Sequence, residues 1–186
     1  MSQLSAKDLE FISELKEAEV FQPIKGHLID QSKGVILVTC SDGDRFPEIF
    51  QHQVRLQADC RPDPRIHVLA WHGGALACAT CSPVNRRKGA HKVFLDQIKD
   101  AREWKNIDTV VLEAHGPCGA AGFFGVSLEQ CLALQIGAKK NVRRLNKGIQ
   151  VSCFFPVFDG EKQKTFFFSR EKWEPWAQKR GIRAIA

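Results

Sequence analysis

The 186-residue sequence has no tyrosine and a single methionine. It therefore lacks the interleaved aromatic pattern on which RNA-binding sheets stack bases, and nucleic acid is not an expected partner. No apolar run approaches the roughly 18–20 residues that a membrane span needs. The first ten residues hold no basic stretch followed by an apolar core, so no signal peptide is visible and a cytoplasmic location is expected. No Gly-rich loop ends in Lys-Ser or Lys-Thr, which argues against nucleotide hydrolysis. A second Cys-x-x-Cys is also missing, so the pair Cys78/Cys81 cannot be completed into a four-thiolate zinc site. A hydrophobic content of 44% with 26% charged residues excludes a disordered or collagen-like chain. The length fits one domain over residues 1–186, with residues 1–20 as an N-terminal helical arm.

What is present is more specific. Seven cysteines, an odd number, read as reduced thiols or metal ligands rather than as a disulfide framework. The net charge of +6 is uneven: residues 1–34 sum to −2, residues 35–138 to zero and residues 139–186 to +8. A basic tail attracts nucleic acid or small anions, but a run such as Lys139-Lys-Asn-Val-Arg-Arg144 on a helix reads by default as a solvated face.

Local pattern gives an alternating order of elements. Ser5 with Asp8 resembles a capping box, and Leu9, Ile12, Leu15 and Ala18 follow at helical spacing, which predicts a helix over 5–19. Residues 34–39, 66–71 and 108–114 are short β-branched runs, apolar on both faces, as in a covered parallel sheet. Between them, Phe46-Pro47-Glu48 opens a helix, and residues 90–105 are helical with Phe94, Ile98, Ala101 and either Trp104 or Lys105 on one side. Ser127 and Gln130 cap a helix to about Asn146. A hairpin over 149–168 turns at Asp159-Gly160, and a basic helix over 170–180 closes the chain. This order predicts an α/β fold with a mostly parallel central sheet flanked by helices.

Open α/β sheets bind ligands beyond the carboxyl ends of their strands. Cys40 ends the first run and His115-Gly-Pro-Cys118 follows the third, so adjacent parallel strands would bring them together. One imidazole and two thiolates suit zinc, leaving a fourth tetrahedral position for water or for Asp42. Cys60, Cys131 and Cys153 read as small buried hydrophobes. Cys78-Ala-Thr-Cys81 reads as a redox pair, half a second zinc site or small-residue packing, the last being preferred. His27, His52, His67 and His91 read as surface or satisfied structural residues.

These residues resemble the β-class carbonic anhydrase family. That family carries Cys-x-Asp-x-Arg after a buried strand and His-x-x-Cys-Gly after a later one; Cys40-Ser41-Asp42 and His115-Gly116-Pro117-Cys118-Gly119 match. Arg45-Phe46-Pro47-Glu48-Ile49-Phe50 resembles the family's Arg-Val-Pro-Pro-Glu-Leu-Ile stretch, and the hairpin over 148–168 resembles its last strands. The likeness covers roughly residues 30–170.

The resemblance implies Zn2+ on Cys40, His115 and Cys118, and a lyase that hydrates carbon dioxide reversibly to bicarbonate by a zinc-bound hydroxide. It also implies an Asp–Arg dyad in which Arg holds the acid off the metal. Here the position two after Asp42 is Asp44, and Arg45 follows; the intervening Gly43 lets Arg45 take the role. On the substrate side the resemblance implies Gln31, acting across a subunit interface, with Gly73 and Gly119. The family's Arg-Asn-Ala-Gly-Asn stretch reads Ala70-Trp71-His72-Gly73-Gly74. A homodimer or higher homo-oligomer is implied as well. Two alternatives stand beside this reading: a zinc hydrolase of another small substrate such as carbon disulfide, and a non-catalytic zinc- or anion-binding regulator in which Asp42 closes the site.

Overall fold

The apolar runs of the sequence become the inner strands of one sheet. The computed structural model describes residues 3–58, 60–160 and 162–182. Its strands are β1 (Gln22–Pro23), β2 (Val35–Cys40), β3 (Ile66–Trp71), β4 (Thr109–Glu113), β5 (Gln150–Asp159) and β6 (Lys162–Phe168). They lie in the order β1-β6-β5-β4-β2-β3. β3, β2, β4 and β5 run parallel; β6 pairs antiparallel with β5, and β1 pairs antiparallel with β6. Every residue of β2 and β4 is buried, which is why these segments are apolar on both faces.

The helices are α1 (Ala6–Glu17), α2 (Phe46–Ala58), α3 (Ala90–Lys105), α4 (Gly119–Phe123), α5 (Leu128–Leu145) and α6 (Arg170–Lys179). The fold class expected from the sequence is the one observed. Both capping boxes form. Ser5 Oγ accepts from the Asp8 N–H at 3.1 Å while Asp8 accepts from the Ser5 N–H at 2.9 Å; Ser127 and Gln130 repeat the exchange at α5. Each such cap contributes about 1 kcal/mol. In α3 the apolar side is Phe94, Leu95, Ile98 and Ala101; Trp104 points outward and is 75% exposed. β1, α4 and a 3-10 helix over Gly74–Cys78 had no sequence forecast, being too short to show a period.

The sheet's two faces differ. On one, Ile36, Val38, Val110, Leu112 and Phe155 pack with α1, α3, α5 and α6 in the large core. On the other, Val35, Leu37, Val111 and Phe154 meet Ile49 of α2 in a smaller cluster. α1 buries Ile12 and Leu15 in the large core and sets Phe11 edge-on to Trp176, ring centroids 5.7 Å apart. The N-terminal helix thus covers its own chain. Among the described residues, no helix is long and apolar enough to cross a membrane.

β2 and β4 are neighbours, and the chain leaves β2 toward β3 but leaves β4 toward β5. This is the switch point at which the carboxyl ends of a parallel sheet open a crevice. Gly74 backs that crevice. Its φ is +57°, and a Cβ there would stand 2.4 Å from the Glu113 carbonyl and 2.6 Å from the Cys40 nitrogen. Gly74→Ala is therefore expected to destabilise the fold by about 3 kcal/mol or more, through the positive φ and a forced shift of β2 against β4. Gly122 has nothing within 4 Å of its Cβ position, and Gly122→Ala should be neutral to slightly stabilising. Urea unfolding of both variants checks this; equal stability would mean that Gly74 does not hold the crevice.

Candidate metal centre

Cys40 is the last residue of β2, His115 stands two residues past β4, and Cys118 precedes the first turn of α4. The segment after β4 is pinned sideways onto β5: the Gly116 N–H donates to Pro156 O at 2.9 Å, and the Phe158 N–H donates to Gly116 O at 2.8 Å. The Gly116–Pro117 peptide is cis. The outcome is a buried trio, Cys40, His115 and Cys118, whose ligand atoms all lie within 4.8 Å of one another. It is the only such group found among the described residues. Tetrahedral zinc with bonds of about 2.0–2.3 Å holds its ligands roughly 3.5–4 Å apart, so the spacing is compatible with a metal ion.

The donor set fits such an ion. His115 is 1% exposed, yet neither Nδ1 nor Nε2 has a hydrogen-bond partner. A buried imidazole left without partners is costly, and a metal bond to one nitrogen would remove part of that cost. Phe158 fixes the ring edge-on, with centroids 5.9 Å apart. Cys118 is held below its ordinary value by the Cys40 thiol and by the Ala121 and Ala120 N–H groups. Cys40 is pushed up to about 12 by that same contact and by burial.

Asp42 Oδ2 stands 3.9 Å from His115 Nε2. Its Oδ1 accepts from the Asp44 N–H at 3.1 Å, and its carbonyl accepts from the Arg45 and Phe46 N–H groups as α2 begins. The Arg45 side chain does not ion-pair with Asp42. Its guanidinium lies 4.4 Å from the centroid of the Phe158 ring. Gln31 is fully buried and accepts a hydrogen bond from Gln53 Nε2 of α2. It precedes β2, at the end of the strand opposite Cys40. Gly73 has φ +76° at the start of the Gly74–Cys78 turn, and Gly119 opens α4 with free space around it. His72 Nδ1 is 3.3 Å from Ser41 Oγ.

Three polar side chains meet between the sheet and α2; Thr39 and Glu113 were not singled out from the sequence, and His52 was read as a surface or satisfied residue. Register continues from Val38↔Leu112, which sets Thr39 beside Glu113, itself paired with Phe154. His52 of α2 lies edge-on to Phe154 at 6.2 Å. Thr39 Oγ1, both Glu113 oxygens and His52 Nδ1 are buried without partners. Burial pushes Glu113 up to about 8 and His52 down to about 4. Glu113 was visible as the one charge inside Thr-Val-Val-Leu-Glu; His52 is not the satisfied residue expected. Cys78 is buried with its thiol pushed up to about 12, and Cys131 and Cys153 behave alike, as expected of small hydrophobes. Cys60, expected to be buried, is exposed because it follows α2 in a surface turn.

No protein-family model matches the sequence, and no curated protein matches it significantly. Solved structures do. The crystal structure of carbonic anhydrase from Streptococcus mutans superposes with a TM-score of 0.43 at 13% identity, over 88% of this chain and 99% of that one. β-Carbonic anhydrase isoform I from Trichomonas vaginalis superposes with a TM-score of 0.40 at 16% identity, over 90% and 99%.

Glu113 yields a pH prediction. A carboxyl whose folded-state pKa is raised binds its proton more tightly when folded, so stability falls as pH rises from the unfolded value toward about 8. Glu113→Gln removes that dependence. Its melting temperature should match wild type at pH 5 and exceed it at pH 8 by roughly 4 °C or more, or about 2 kcal/mol. Parallel melting curves at both pH values would reveal it.

Proposed function

We propose that the chain is a zinc enzyme interconverting carbon dioxide and bicarbonate. The observation that carries this reading is the buried Cys40–His115–Cys118 trio at the strand switch point, with an imidazole that has no protein partner. The sequence likeness to β-class carbonic anhydrases supports it. Zinc held there would supply a Lewis acid that makes water nucleophilic near neutral pH.

The chain's own residues set the rest. Cys40 and Cys118 as thiolates would offset the charge of a divalent ion, so water there would be harder to ionise than on three neutral histidines. In this reading Asp42, whose Oδ2 is 3.9 Å from His115 Nε2, would accept a hydrogen bond from water at the centre and orient it. Hydration adds the water oxygen to the carbon of carbon dioxide and releases one proton to solvent. Phe158 packs edge-on to His115 and carries Arg45, the cation nearest in sequence to Asp42. In this reading Arg45 leaves Phe158 to pair with Asp42 during turnover. Gln31 takes no part, being buried under α2.

A second reading has a specific observation in its favour. Without an Arg45 ion pair, Asp42 is free to become a fourth ligand, which would leave a closed, non-catalytic zinc centre. Metal analysis with stopped-flow hydration separates the two. The expected result is about one zinc per chain, lost in Cys40→Ser and His115→Ala but kept in Cys78→Ala, with activity that rises with pH. Full zinc occupancy in Cys40→Ser would sink the centre; a fully loaded but inert wild type would favour the regulator.

Arg45→Ala tests the gate itself. At equal zinc content and high pH, hydration should fall at least tenfold, or about 1.4 kcal/mol in the barrier. An unchanged rate would remove Arg45 from the mechanism.

A further inference from the structure

A second site lies at the opposite end of the sheet. β6 ends at Phe168, the register partner of Cys153, so residues 150–152 of β5 have no strand beside them on that side. A cavity of about 540 Å³ opens there. Its apolar wall includes Phe21, Ile29 and Phe167, and its cations are Lys16, Lys25 and Lys139. Lys139 comes from α5, in the run that the sequence presented as a solvated face. The structure corrects that: only 9% of Lys139 is exposed. Its ammonium makes no hydrogen bond or ion pair among the described residues, although Glu171 and Cys153 feel its charge through space. Its stem is buried and its charged head is left at the cavity, within reach of a small anion. The one acid in the wall, Glu19, is turned to Lys172, 3.5 Å away. The cavity therefore presents three lysine head groups over an apolar floor.

We propose that this cavity binds a small phosphate monoester with an apolar body. The phosphate would sit on Lys139, flanked by Lys16 and Lys25, and the body on Phe21 and Phe167. Three lysines and no arginine fork suit a compact dianion better than a planar carboxylate. The volume lies within the usual range for small-molecule sites. The site is independent of the metal centre.

Calorimetric titration of the zinc-loaded protein with phenyl phosphate tests it. The expected dissociation constant is below about 1 mM, with inorganic phosphate at least tenfold weaker. Lys139→Met should weaken phenyl phosphate at least tenfold without lowering the melting temperature; Lys139→Arg should restore most of the affinity. Lys25→Gln, on an exposed segment, should weaken binding about threefold and guards against a folding artefact in the first variant. Cys40→Ser should bind as wild type does. Absence of binding, binding indifferent to Lys139→Met, or loss of binding in Cys40→Ser would overturn the site. Equal affinity for inorganic phosphate would overturn the apolar body.

Discussion

The parallel pairing of β2 with β4 is the constraint on which the rest depends. Three register pairs, Ile36↔Val110, Leu37↔Val111 and Val38↔Leu112, bring two carboxyl ends to one place. Cys40 and His115 are far apart in sequence, yet their ligand atoms come within 4.8 Å. Any slip by one residue would send Cys40 to the α2 face and Thr39 to the large core. The apolar run on both sides of β2 does not by itself prevent that slip. Gly74, wedged against the Glu113 carbonyl and the Cys40 nitrogen, and the Gly116 bridge to β5 add the position-specific contacts.

The sequence showed the fold through its periods and caps. Short β-branched runs separated by capped helices translate directly into a covered parallel sheet, and both capping boxes form as written. The trio was legible because strand direction places chain ends together without side-chain detail. The Asp42–Arg45 relation was not legible, since it depends on how a loop enters α2. The Arg45 N–H bonds Asp42 O in the first turn, and its side chain finds the Phe158 face instead. Phe158 lies more than a hundred residues further on, so no local pattern could report that competitor. Lys139 misled for a related reason: a cation on a helix looks solvated until the neighbouring elements are placed around it.

The sheet's two faces divide the work. The large face carries nearly all-apolar packing under four helices. The face under α2 includes Gln31, Thr39, Gln53 and Glu113, several of their polar atoms lacking partners. Each such group costs about 1–3 kcal/mol. A fold with this polar layer needs surplus stability from elsewhere, and the rings of Phe21, Phe155, Phe166 and Phe168 packed together on the large face are the evident source.

Charge is arranged so that the two ends of the sheet act separately. The last 48 residues carry +8, and Lys139 brings part of that charge into the cavity beside β5. The metal centre lies at the other end of the strands. β2 alone spans five residue steps, or roughly 16 Å at about 3.3 Å per residue. That is about twice the Debye length of about 8 Å at physiological salt. The lysines therefore act on charge at their own mouth, and the Cys40–His115–Cys118 trio lies beyond their screened reach.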